Sequence, residues 1–434
     1  MNRSIPIRPG HASGDHPPPT PVTRWRWATL LQAPHRLAFA GACTVLLLSA
    51  LWWLWVQASR LGWLPAESLE VSPSLGHGVV MVHGFMPLFF TGFLFTAGPK
   101  WLGVPGPDAR AVLPAVALQA LAWPLWLAGV HLSANLAIAA LLLAGTGQAL
   151  ATLRFARLLR ASPAEDTAHA RVIAIGWAIG TLTLAGLAFT LWQDDLDGAR
   201  RWLHTALWGF VALVYVVVVH RMIPFFTSST LPLVQLWRPM WVLHALVVTV
   251  ALKAVGPWLT FAGLSISAWT AFEGFALLVA GFVVLWLAFM WGLAQSLKIR
   301  LLAMLHLGFV WLGLGLVIDG AGLVLGWISG APWSPLAALH ATTMGFLGSL
   351  MLAMVTRVSC GHGGRSLVAD RLAWSAFLLL QAATVLRIAA AVAPPAWMGT
   401  LTLTVAALWL AVVAPWALRL LRWYGQPRPD GRPG

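Results

Sequence analysis

The chain has 434 residues, is 59% hydrophobic and only 9% charged, and carries a net charge of +14. Soluble domains carry about 25% charged residues, so a water-soluble fold is excluded. Uninterrupted apolar runs of about twenty residues exclude a β-barrel, whose strands alternate over about ten. The basic residues stand singly between apolar runs, without a nucleic-acid motif, and therefore point to membrane sidedness rather than to a nucleic-acid partner.

Residues 1–34 contain proline and histidine but no short apolar core before a cleavage site, and are expected to be a disordered cytoplasmic tail. Apolar runs follow at 37–57, 79–98, 111–130, 132–153, 172–191, 202–220, 239–256, 270–292, 302–323, 338–357, 372–391 and 397–418. Each is about as long as a helix needs to be to cross the bilayer. The expectation is an all-α, polytopic transmembrane bundle of about twelve spans. It forms a single domain over 35–420, with a cytoplasmic tail at 421–434. The third and fourth spans nearly fuse around His131, and 257–270 is a candidate interfacial helix. Cys43 and Cys360 provide no disulfide framework.

With the N-terminus inside, 22 of the 27 lysines and arginines fall on the inner side, while Asp194, Asp195 and Asp197 fall outside. The alternation holds loop after loop and predicts both termini in the cytoplasm.

The sixth span begins His204-Thr-Ala-Leu-Trp-Gly209-Phe210 and the tenth His340-Ala-Thr-Thr-Met-Gly345-Phe346. In each, an arginine follows the histidine by seventeen residues, Arg221 and Arg357. The second span has Gly84-Phe85 at the matching place, with Val79 in the histidine position and His77 and His83 nearby. The period of about 130 residues suggests three four-helix units, 35–153, 169–292 and 300–418.

Imidazole at membrane depth is costly unless it is paired, wet or bound, and it is a good ligand for iron, copper or zinc. His83, His204 and His340 lie near the outer ends of their spans, and His77 and His131 lie in or beside outer loops. His35, His220, His244, His306 and His362 lie near the inner surface. Because no span carries an H-x3-H pair, any metal site must be assembled from several helices. His83, His204, His340, His35 and His77 are the candidate metal ligands, and His220 and His362 are further candidates for holding a cofactor. Pro224 is expected to stop or kink the sixth helix, which lets Arg221 turn to the inner surface. Arg221, Arg357 and Arg365 could clamp an anionic group or bind lipid phosphate. Glu273 and Asp319 read as lone acids near outer helix ends, which counts against a proton-driven carrier. Gly76, Gly84, Gly92, Gly345 and Gly348 would let helices approach closely. Trp101, Trp192, Trp202 and Trp291 read as interface residues.

Several segments together resemble the NnrS family of bacterial membrane proteins. They are His83-Gly84-Phe85, Gly92 to Ala97, Pro99-Lys100-Trp101, Arg221 to Thr227, His340 to Gly345, Met354 to Arg357, and Gly361-His362-Gly363-Gly364-Arg365. The resemblance spans roughly residues 32 to 420. It implies haem of b type and copper as cofactors, an inner-membrane location, and a role in defence against nitric oxide. Many members carry histidine, glutamate and methionine where this chain reads Val79-Val80-Met81, so His77 or His83 would have to substitute. The function expected is a haem- and copper-containing inner-membrane protein that binds or turns over nitric oxide, with an unidentified electron donor. The alternatives are a permease without redox chemistry and an assembly or sensory partner of a respiratory complex.

Overall fold

A computed structural model describes residues 24–231, 234–331 and 335–431. Twelve helices in it are long and apolar enough to cross a membrane. They are α1 (Pro34–Arg60), α2 (Pro73–Leu102), α3 (Ala109–Leu132), α4 (Ala134–Arg160), α5 (Ala168–Trp192) and α6 (Leu196–Thr230). After them come α7 (Met240–Phe261), α8 (Ile266–Met290), α9 (Arg300–Ser329), α10 (Leu336–His362), α11 (Arg371–Val392) and α12 (Pro395–Tyr424). The chain is a multi-pass, all-helical membrane protein, and no strand occurs among the described residues.

Local chemistry sets the helix ends. The Ser72 hydroxyl accepts from Leu75 N–H at the start of α2, and Asp195 accepts from Gly198 N–H at the start of α6. Gly103 and Gly330 take the left-handed conformation that ends α2 and α9. Lys100, Arg160, Arg300, Arg371 and Arg422 all lie at helix ends on one side of the bundle, the basic end, and Arg221 lies in the inner half of α6.

Burial separates the helices into layers. In their most apolar windows, α2, α6 and α10 are 83, 72 and 72% buried, against 39–44% for α3, α4, α7, α8, α11 and α12. The three central helices are thus the second of each expected four-span unit, wrapped by their neighbours. Each also widens into a π-helical turn, at Val80–Gly84, Leu207–Ala212 and Ala341–Gly348. These turns contain Gly84, Gly209 and Gly345, the glycines aligned by the sequence comparison. Burial and π turn therefore recur with the four-span period. π turns inside α-helices mark functional positions more often than chance.

Close approach at glycine is specific rather than general. A Cβ at Gly92 would lie 2.5 Å from the Phe39 ring, and one at Gly345 would lie 2.6 Å from the Trp311 ring. At Gly348 the nearest atom would be 3.5 Å away, so that glycine is not needed for packing.

Several expectations are corrected. Residues 24–33 do not belong to a disordered tail: Trp27–Leu30 is helical, Arg26 N–H donates to Gly425 O, and Trp25 Nε1 donates to Leu421 O. The aromatic side chains dock this segment on the end of α12; residues 1–23 lie outside the described residues. Pro224 does not stop α6, because the helix continues to Thr230. Packed neighbours make an internal proline tolerable in an apolar span. No interfacial helix fills 257–270, since α7 runs to Phe261, Gly263 turns the chain and α8 begins at Ile266. Trp291 is a core residue, 2% exposed and stacked on Phe309.

Candidate functional site

At the centre, α2, α6 and α10 enclose an apolar chamber of about 50 Å³. Phe90, Phe93, Val218, Met222, Met351 and Met354 line it, with Phe39 of α1 and Leu305 of α9 closing its sides. Tyr215 also lines it, but its hydroxyl donates to Met86 Sδ at 3.4 Å. The chamber reaches toward the basic end, where Met222 and Val358 flank Arg221 and Arg357 in sequence. Its lining offers almost no polar atoms, so it suits apolar ligands.

Two fully buried histidines stand near this chamber, and their hydrogen bonds assign their tautomers. Thr183 Oγ1 gives its proton to Gly180 O, so it accepts from His83 Nε2 at 3.3 Å. Thr227 Oγ1 gives its proton to Ile223 O, so it accepts from His306 Nε2 at 2.9 Å. In both rings Nδ1 is left with a lone pair, buried and without a hydrogen-bond partner. His83 lies against Phe210, which packs in turn on Phe90 of the chamber wall. His306 follows Leu305 and bonds to the helix turn that begins at Ile223, both wall residues. A neutral imidazole whose outer N–H is fixed by a hydrogen bond, and whose other nitrogen is free, is a ready ligand.

A third arrangement joins α5 to α6. His220 Nε2 donates to Pro239 O at 3.1 Å, so its Nδ1 accepts from His169 Nε2 at 2.9 Å. His169 Nδ1 remains buried and unpartnered.

The other sequence candidates are scattered. His204 Nε2 donates to Lys253 O of α7 at 2.8 Å. His340 Nδ1 donates to Leu336 O at 2.8 Å. His77 stacks on Trp53 with ring centroids 3.9 Å apart and lies within electrostatic range of His340. The structure thus brings His77 toward His340, whereas His83, His204 and His340 each face different neighbours. His131 accepts from Trp52 Nε1 at 2.8 Å and lies 3.2 Å from Glu67 Oε2, so both its nitrogens are used. His35 and His362 meet at the basic end, with ring centroids 5.0 Å apart.

The arginines do not converge. Arg221 lies over Trp101, Arg357 over Phe226 and Arg365 over Trp423, at 4.9, 3.8 and 4.2 Å from the ring centroids. None of the three has an ion pair among the described residues. Also among the described residues, no three His, Cys, Asp or Glu side chains are grouped to hold a metal ion.

Glu273 and Asp319 are not lone acids. Lys253 Nζ lies 3.0 Å from Glu273 Oε1 and 2.8 Å from Asp319 Oδ2, and Trp269 Nε1 donates to Glu273 Oε2 at 2.7 Å. The three charged residues are at most 9% exposed and tie α7, α8 and α9 together. Single-residue depth hid this cluster, because its members are 66 positions apart in sequence from Lys253 to Asp319. Sequence places His306 only among the inner histidines, and the tertiary contact with Thr227 is what distinguishes it from the others.

A family model described as NnrS protein matches residues 29–428, nearly the whole chain. The chain belongs to the NnrS family. No curated protein matches it. The NnrS match covers all twelve spans, and the central π-turned helices lie wholly within it.

Proposed function

We propose that this NnrS-family protein works in the bacterial inner membrane, with both termini cytoplasmic, and receives nitric oxide in its central chamber in connection with metal-bound cofactors. The carrying observation is the apolar chamber between α2, α6 and α10. Nitric oxide is small and apolar, so it can enter from lipid without a polar vestibule. A polar solute would find no hydrogen-bonding wall there, which counts against a permease.

Donor chemistry and space give different answers for haem. His83 and His306 have the free nitrogens that an axial ligand needs. A chamber of about 50 Å³ is far below the 300–1,000 Å³ of ordinary cofactor pockets, so a porphyrin does not fit inside it. The chamber is therefore read as the place of the gas and not of the macrocycle. For copper, His77 and His340 lie within electrostatic range of each other, with His77 Nδ1 unpartnered and His340 Nε2 left as the lone-pair nitrogen. Haem would be held through His83 or His306 and would supply an iron able to bind a diatomic ligand. The protein's own contribution is to hold imidazoles in one tautomer through Thr183 and Thr227, and to exclude water around the ligand.

The test is metal analysis and optical spectroscopy of protein expressed with added haem. Wild type should carry iron, and its spectrum should change with nitric oxide. His83→Ala or His306→Ala should lower the iron content. Val218→Trp, which fills the chamber, should weaken nitric oxide binding while leaving the metal in place. Wild type without iron, copper or any nitric oxide response would end this reading.

A further inference from the structure

At the basic end, a second and polar cavity of about 10 Å³ opens among the ends of α1, α10 and α12. His35, Arg36, Ser359, Arg365, Trp423 and Tyr424 line it. Its chemistry differs from that of the central chamber. His35 is 3% exposed, yet its Nδ1 has no hydrogen-bond partner. Arg36 is 2% exposed, and Nη1 donates to Tyr424 O at 3.2 Å and to Gln426 O at 2.7 Å. These carbonyls anchor the guanidinium but supply no full negative charge. The Arg365 guanidinium lies over Trp423 with no ion pair among the described residues.

Charge decides what the cavity can take. Arg36 and Arg428 act electrostatically on His35, and Lys100 and Arg428 act on His362. Arg428 pairs with Asp430 at 2.6 Å. Around the two imidazoles the cations Arg36, Arg365, Arg428 and Lys100 thus face one described carboxylate, Asp430. A metal cation between His35 and His362 would sit against this excess of positive charge, so the pair is poorly placed for copper despite its ring spacing. An anion would be drawn in, because clefts of one charge concentrate the opposite ion. Arginine forks match phosphate oxygens in geometry as well as charge.

Size sets how much of the ligand enters. A volume of about 10 Å³ is roughly one water-sized sphere. One oxygen fits, and the rest of a phosphate group must stay outside, at the height where the helices end. The Ser359 and Tyr424 hydroxyls bond to each other at 2.6 Å, which commits one of their two protons, so the nitrogen donors are His35 and the two guanidiniums.

We infer that this cavity binds a phosphate group, inserting one oxygen between His35, Arg36 and Arg365. Its source is either an anionic phospholipid headgroup or free phosphate. The site is independent of the nitric oxide reading.

The test uses the full chain in nanodiscs of zwitterionic lipid, with tryptophan fluorescence reporting the unfolding temperature. Either phosphatidylglycerol in the disc or inorganic phosphate in the buffer should raise the midpoint above a chloride control of equal ionic strength. A response to the lipid alone assigns the headgroup, and a response to both assigns free phosphate as a ligand. Arg365→Gln should weaken the response at least tenfold in ligand concentration. Arg157→Gln, in the last turn of α4 and outside the lining of the cavity, should not. His35→Phe keeps the ring but removes its donor and should weaken the response too, which provides a second variant should Arg365→Gln fold poorly. No response to either ligand, an equal response to acetate, or an undiminished response in both His35→Phe and Arg365→Gln would overturn the inference.

Discussion

Around the central chamber, His83 and His306 are buried as neutral rings, each satisfied at one nitrogen and open at the other. Between α7, α8 and α9, by contrast, Lys253, Glu273 and Asp319 are buried as charges that satisfy one another. Hydrocarbon imposes the same demand on both regions, and they meet it in opposite ways. A neutral imidazole survives with one hydrogen bond because its desolvation is modest, and so its second nitrogen remains available for a ligand. A buried ammonium needs full pairing, and its carboxylates are thereby committed. The first region is suited to binding, and the second to holding helices together.

The strongest way to break this comparison is Lys253→Met. It leaves two carboxylates unpaired in a buried place, where loss of one partner costs about 3–5 kcal/mol. Thermal unfolding in detergent should show a large fall in midpoint, and adding Glu273→Gln with Asp319→Asn should restore much of it. An unchanged midpoint in Lys253→Met would show that the cluster does not hold the three helices.

Gly92→Ala probes the chamber wall, because the new Cβ meets the Phe39 ring at 2.5 Å. A cost of about 1–3 kcal/mol is expected for such overpacking. Gly348→Ala, with its nearest contact at 3.5 Å, should leave the midpoint near wild type. Equal effects at both positions would remove the argument for close approach at Gly92.

His306→Leu sharpens the other side. Thr227 keeps its bond to Ile223 O, and a near volume-conserving apolar replacement costs less than about 1.5 kcal/mol. Its midpoint should therefore sit well above that of Lys253→Met. A collapse of the same size would mean that the ring is a structural staple rather than a ligand in waiting.

The smallest effect is at Asp370, outside the spans, where the carboxylate caps α11 by accepting from Ala373 N–H at 3.0 Å. Burial works against its charge, but the hydrogen bond from Arg419 and the one from Ala373 outweigh this and hold its pKa below the usual carboxylate value. A depressed folded pKa contributes stability above the unfolded value that disappears as pH falls through the folded one. Asp370→Ala should cost about 1 kcal/mol at neutral pH as a lost cap, and the gap to wild type should narrow in acid. A gap independent of pH would assign the whole effect to helix propensity.

Much of the bundle is legible in the chain itself. Apolar length alone places the twelve spans, with ends up to ten residues off as at Thr230, and the aligned glycines mark where α2, α6 and α10 widen. Tryptophan was less readable: Trp192 is 67% exposed, whereas Trp291 is 2% exposed, and both end a span. An indole suits an interface and a core equally, and only the presence of Phe309 beside Trp291 separates them.

What the sequence by itself determined is the medium and the architecture, because the cost of exposing a peptide group to hydrocarbon depends only on local apolar length. The tertiary structure alone decided the pairings. It joined His169 to His220, His35 to His362 and Lys253 to two acids, and it left His83 and His306 each with a bare nitrogen. Hydrogen bonds and ion pairs act over about 3 Å, and residues 20 to 66 positions apart, such as Lys253 with its two acids and His169 with His220, come that close only after the helices have packed.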